Sequence, residues 1–125
     1  MTPADLMDKA TRAIASAKLL LDADDVDGAC NRAYYAMFDA ARAALILSGA
    51  PVDPTVIKSH SGLISAFSLH LVKTGHVTTD LGKALNKVAQ IRLIADYTGD
   101  EVTAERAGWA VTQAAIFVDA MQKQR

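Results

Sequence analysis

The 125 residues are 51% hydrophobic but only 6% aromatic, and the difference is alanine, which occurs 24 times. That length suits one domain, residues 1–125, and low aromatic content with abundant alanine argues against a sheet sandwich and for close-packed helices. A net charge of −1, a single cysteine and no apolar run near the roughly 20 residues of a bilayer span exclude three classes: a globally basic nucleic-acid binder, a disulfide scaffold and a membrane helix.

Punctuation divides the chain into five predicted helices. Thr2-Pro3 with Asp5 is a cap and first turn, and Leu6, Ala10, Ala13, Ile14 and Ala17 carry helix 1 on through Leu20 and Leu21 to about residue 23. Asp24 or Asp25 restarts the chain. Helix 2 then runs to Ser48, with Ala29, Ala33, Met37, Ala40, Ala44 and Leu47 on one line and Gly49 as C-terminal cap. Ala50-Pro51-Val52-Asp53-Pro54 is a loop, because each proline biases its predecessor away from helical geometry. Helix 3 begins between Thr55 and Ser59, buries Leu63, Ile64, Phe67 and Leu71, and ends at Gly75. Thr79 is the expected cap of helix 4, whose stripe is Leu81, Leu85, Val88, Ile91 and Ala95 before Gly99. Thr103 caps helix 5, with Ala107, Val111, Ala114, Ala115, Val118 and Met121 at the same spacing.

The pattern predicts an all-α, antiparallel up-and-down bundle of four main helices plus a shorter one. Helices 2 and 5 are apolar around more than one stripe, through Tyr34, Tyr35, Phe38, Leu45 and Ile46 on one and Trp109, Ile116 and Phe117 on the other. So wide a surface on so short a chain leads us to expect a homodimer. The N-terminus lacks the basic start and apolar core of a signal peptide, so the expected location is cytoplasmic.

Several tempting motifs fail. Counted from Asp22 as a calcium loop, position 5 is Val26, the glycine falls at position 7 and position 12 is Ala33, so these acidic residues read as dipole partners of helix 2. His60, His70 and His76 lack metal-ligand spacing, and Cys30 sits in an apolar stretch as a small core residue. No metal or other cofactor is implied.

Two segments remain. Lys58-Ser59-His60 at the start of helix 3 joins a lysine and a hydroxyl to free backbone N–H groups, which suits a phosphate, although Ser59 would equally serve as a plain cap. At the end of helix 4, Arg92 and Asp96 lie about 40° apart and can pair, whereas Tyr97 lies about 140° from Arg92 unless the last turn departs from ideal geometry. An arginine so close to an apolar stripe needs a partner to be buried.

These segments, with Ala33-Tyr34-Tyr35-Ala36-Met37-Phe38 on helix 2, Ser59-His60-Ser61-Gly62-Leu63-Ile64 leading to Phe67, and Phe117-Val118 on an alanine-rich last helix, resemble the HEPN domain (higher eukaryotes and prokaryotes nucleotide-binding) in its small stand-alone branch. The resemblance spans about residues 5 to 122. It implies a dimeric helical bundle that binds nucleotide or RNA phosphate, with Arg92, Lys58, Ser59 and His60 as candidate contacts, in a toxin–antitoxin-like system whose partner is a minimal nucleotidyltransferase. It also implies an alternative, a metal-independent endoribonuclease toxin with Arg92, Asp96 and Tyr97 as catalytic candidates. The motif of such enzymes places four to six residues between the arginine and a histidine. Here Tyr97 stands at that place and no histidine follows Arg92. Tyrosine and aspartate titrate far from neutrality, so hydrolysis is expected to be weak or absent. Tyr97 is also the candidate for nucleotide modification by the partner. A ligand-free structural adaptor is the third reading.

Overall fold

The computed structural model describes residues 1–124. All its regular structure is helical: α1 Pro3–Asp22, α2 Val26–Ser48, α3 His60–Phe67, α4 Thr79–Leu93 and α5 Ala104–Lys123. The all-α bundle of five helices agrees with the sequence pattern. Each start has a side-chain cap. Thr2 accepts from Asp5 N at 3.1 Å while Asp5 accepts from Thr2 N at 3.0 Å, and Asp25, Ser59 and Thr103 each accept from the backbone N–H three residues on. The acidic run therefore caps α2, with Asp24 itself in the left-handed region at φ 64°. Gly49 ends α2 at φ 71°, a conformation that costs a side-chain-bearing residue energy.

Two expectations about boundaries need correction. Thr78, not Thr79, caps α4, its hydroxyl accepting from Leu81 N. Helix 3 does not run regularly to Gly75. A 3₁₀ turn over Val56–Lys58 precedes it, and after Phe67 it widens into a π-helical turn, Ser68–Val72. The end of α4 widens in the same way over Ile94–Thr98 before Gly99.

Helix α2 is the centre of the bundle and packs against α1, α5, α4 and α3. Its alanine face does this work. Ala29, Ala33, Ala36, Ala40 and Ala43 of α2 are fully buried, as are Ala10 and Ala17 of α1 and Ala107, Ala110 and Ala114 of α5. Residues without side-chain entropy let helix axes approach closely, and larger groups fill the remaining space. Phe67 and Phe117, with ring centroids 5.4 Å apart, join α3 to α5, beside Leu6, Met37, Leu63 and Leu85. Cys30 is buried, and burial pushes its thiol up to about 11, so it is inert packing. Leu47, on the expected buried line of α2, is 49% exposed instead. Ile46, Trp109 and Ile116 are exposed too, so the wide apolar surface of α2 and α5 is not wholly consumed within one chain. No helix is long and apolar enough to cross a membrane among the described residues.

Candidate functional site

The face of α2 turned away from the alanine seam carries Asn31, Tyr34, Tyr35 and Phe38, which share a stripe at helical spacing. Opposite them stands Arg92, near the end of α4 and 5% exposed. A buried guanidinium must be paired and hydrogen-bonded. Here its Nε donates to Asp96 Oδ2 at 2.9 Å, and one terminal nitrogen, Nη2, donates to the Tyr35 hydroxyl at 3.1 Å and the Tyr97 hydroxyl at 3.2 Å. The cation also lies over three rings, 5.3 Å from Tyr34, 5.3 Å from Tyr35 and 5.2 Å from Tyr97. Asn31 Nδ2 donates to the same Asp96 oxygen at 3.1 Å, tying α2 to the end of α4. The other terminal nitrogen, Nη1, has no hydrogen bond among the described residues.

The expected pairing of Arg92 with Asp96 is present. The last turn does depart from ideal geometry, as a π-helical turn over Ile94–Thr98, so the separation of about 140° between Tyr97 and Arg92 does not apply. In such a turn hydrogen bonding runs from i to i+5, so Tyr97, five residues after Arg92, is swung over the guanidinium. Tyr97 remains 69% exposed, with its hydroxyl at the rim of the site.

Helix α3 supplies a residue from the other sequence segment. The Tyr34 hydroxyl and His60 Nδ1 are 2.8 Å apart, and the imidazole packs on Phe38, Tyr34 and Tyr35 with ring centroids 5.3, 5.4 and 5.8 Å away. One aromatic platform on α2 therefore carries both the cation and the imidazole. His60, Tyr34, Arg92, Ser61, Ile64 and Leu93 line a groove of about 210 Å³. Burial and the neighbouring Arg92 charge hold the His60 pKa below its usual range. Burial pushes the Tyr34 phenol up to about 12, so it stays protonated.

The rest of the predicted anion segment is arranged differently. The Ser59 hydroxyl accepts from Gly62 N at 3.1 Å and donates to Val56 O at 3.0 Å, both within the cap, and Lys58 is exposed on the preceding 3₁₀ turn, outside the groove lining. Gly62 is required where it is, since a Cβ there would strike the Val56 carbonyl. Sequence reasoning missed Asn31, Tyr34 and Tyr35 as site residues. Their common stripe on α2 was the available signal, but it reads equally well as core.

A helical bundle with no strand among the described residues, and with one buried arginine held among tyrosine rings, defines a class of small α-helical domains. Comparison with known proteins identifies the family. The model of the HEPN domain matches residues 4–124, and the chain belongs to that family. It is 34% identical to "Putative toxin MJ0605" of Methanocaldococcus jannaschii over 94% of this chain and 84% of that protein. It is 38% identical to the UPF0332 protein glr0978 of Gloeobacter violaceus over 79% of this chain and 76% of the relative. A UPF0332 protein of Thermotoga maritima is 36% identical over 92% and 84% respectively.

Proposed function

We propose that this HEPN protein is of the toxin type and acts by holding a nucleotide or RNA phosphate against Arg92, as a homodimer working with a minimal nucleotidyltransferase partner. The toxin assignment draws on the two relatives named as toxins. The observation that carries the phosphate reading is the Arg92 cage. A guanidinium 5% exposed, fixed through Nε by one carboxylate and left with Nη1 unbonded beside a groove, is preorganised for an anion. The tyrosine and histidine rings around it offer faces on which a base can stack, each worth about 1–3 kcal/mol in single-strand binding. A chain with net charge −1 binds such a ligand through a local site rather than through a basic surface.

The argument for a second copy lies in exposed apolar side chains. Ile46 on α2 and Trp109 and Ile116 on α5 stand exposed on one chain, and a second copy burying them is the reading that covers this surface. Tyr97, exposed and bonded to Arg92, is the hydroxyl we assign to modification: a nucleotidyl group placed there would set its own phosphate beside the guanidinium and close the site to other ligands.

The test is fluorescence anisotropy with a labelled oligoribonucleotide and with nucleoside triphosphates, comparing wild type with Arg92→Ala. Micromolar binding that depends on Arg92 is expected. Binding unchanged by the substitution removes the phosphate reading.

A further inference from the structure

The charges of the chain are segregated along its length. Between Asp53 and Asp96 stand four lysines, Arg92, all three histidines and a single acid, Asp80, although the whole chain has a net charge of −1. Lys58, Lys73, Lys83 and Lys87 are exposed, and neither ion pair among the described residues includes any of them. This stretch folds into α3, its π-helical turn and α4.

These two arms leave a cleft between them, in which two hollows meet at Ile64. One, of about 210 Å³, lies between Ser61 on α3 and Ala89 and Leu93 on α4. The other, of about 130 Å³, lies between Ser68 and Val72 on the π-helical turn and Thr79, Lys83 and Asn86 on α4. Thr79, Lys83, Asn86, Ala89 and Leu93 recur at helical spacing, so one face of α4 follows the cleft from end to end. At 1.5 Å per residue that face is about 20 Å long.

We propose that the α3–α4 cleft docks an amphipathic helix of a partner protein, one with aliphatic anchors along one face and aspartates or glutamates beside them. The proposal goes beyond the phosphate reading and does not depend on what Arg92 binds.

The lining, the charge and the shape of the cleft choose this occupant. Ile64, Val72, Ala89 and Leu93 give it an apolar lining, and Leu93 is 48% exposed at one end, so burying apolar side chains supplies the energy. A nucleic-acid strand would set phosphates and hydroxyls against that lining unpaired. Beyond Tyr34 and His60, the one aromatic lining is Phe67, which is 1% exposed and offers no face for a base. Lys83 lines the cleft, and Lys58 and Lys73 stand just beyond the two ends of its α3 wall, whereas Lys87 lies over the Trp109 ring on α5. Carboxylates beside the anchors meet these unpaired cations, and a basic helix is repelled by them. An all-helical surface has no sheet edge to extend, and a gap between two helices fits a third, with anchors at i, i+4, i+7 and i+11 that span about 16 Å.

The experiment measures anisotropy of three labelled helical peptides of about 18 residues, long enough to span the cleft, against the full chain. One has leucines at the anchor positions and glutamates beside them, the second has lysine for every glutamate, and the third has the same composition with the leucines scattered. The glutamate peptide should bind at micromolar concentration and weaken as salt rises, and the other two should bind at least about tenfold more weakly. Asn86→Trp, at an exposed position in the middle of the cleft, should abolish binding. Lys73→Glu with Lys83→Glu should lower affinity for the glutamate peptide about tenfold and raise it for the lysine peptide. Denaturation midpoints show which variants are folded, and if Asn86→Trp is not, the charge reversal decides. No binding to wild type, equal binding of all three peptides, or binding indifferent to these substitutions overturns the proposal. If Asn86→Trp instead removes oligoribonucleotide binding, or self-association in light scattering, the cleft belongs to RNA or to a second copy and the proposal falls. No variant alters Arg92, so each of these outcomes leaves the phosphate reading to its own test.

Discussion

Helix α2 has two faces that obey different rules. Toward α1 and α5 it presents fully buried alanines, and the energy there comes from many small, non-directional contacts. Toward α3 and α4 it presents Asn31, Tyr34 and Tyr35, which hold one cation and one imidazole through a few directional bonds. The first face tolerates little change in volume and is indifferent to charge. The second depends on charge and on particular atoms. Stability and ligand recognition are therefore separable by substitution, and each prediction below tests that separation.

The largest effect belongs to the packed side. Phe117→Ala removes a fully buried ring that touches Phe67 and should cost about 3–5 kcal/mol in chemical denaturation. The fraction that remains folded should still bind oligoribonucleotide with wild-type affinity. A large loss of affinity per folded molecule would mean that the two faces are coupled. On the other side, Arg92→Ala removes charge-assisted hydrogen bonds worth about 1.5–3 kcal/mol, so affinity should fall about 10- to 150-fold. Its effect on the denaturation midpoint should be smaller than that of Phe117→Ala.

The two faces also differed in how well the sequence displayed them. The alanine seam follows from periodicity, and the caps Thr2, Asp25, Ser59 and Thr103 follow from residue type. The cap of α4 was misplaced by one residue because Thr78 and Thr79 have identical side chains, and only the backbone path selects Thr78. Arg92–Asp96 was visible as an i, i+4 pair. The π-helical turn is not, since widening a helix by one residue per turn leaves no mark in composition, so the spacing alone leaves open whether Tyr97 reaches Arg92. The approach of His60 to Arg92 spans three helices and depends on how α3 leaves its 3₁₀ turn, which local pattern does not encode.

The exposed apolar residues sharpen the comparison, because they belong to neither the alanine seam nor the cation site. Ile116→Glu, at a position 51% exposed in the single chain, should shift a dimer toward monomer in light scattering after gel filtration while leaving the denaturation midpoint of the monomer nearly unchanged. A chain that is monomeric at tens of micromolar before any substitution would remove the dimer reading.

The smallest expected effect is a pH slope from His60. Its folded pKa lies below the ordinary value of 6.5, so near and below 6.5 the unfolded chain binds more protons than the folded one. The sign follows: this contribution to stability is complete above pH 6.5 and is lost as pH falls through the folded pKa. Asp39 acts in the opposite sense at lower pH, because burial raises its carboxyl above 3.8, so its contribution is lost as pH rises through that raised value. The two groups thus slope against each other in separate windows. In denaturation midpoints measured from pH 7 downward, His60→Gln should flatten the upper part of the curve and leave the lower part unchanged. Tyr34→Phe, which keeps the ring but removes the hydroxyl at Nδ1, should keep an upper slope, since burial and Arg92 still act on the imidazole. If Tyr34→Phe erased the slope as fully as His60→Gln, the hydroxyl rather than the buried cation would set the histidine's charge, and the electrostatic account of this face would have to be rebuilt around Tyr34.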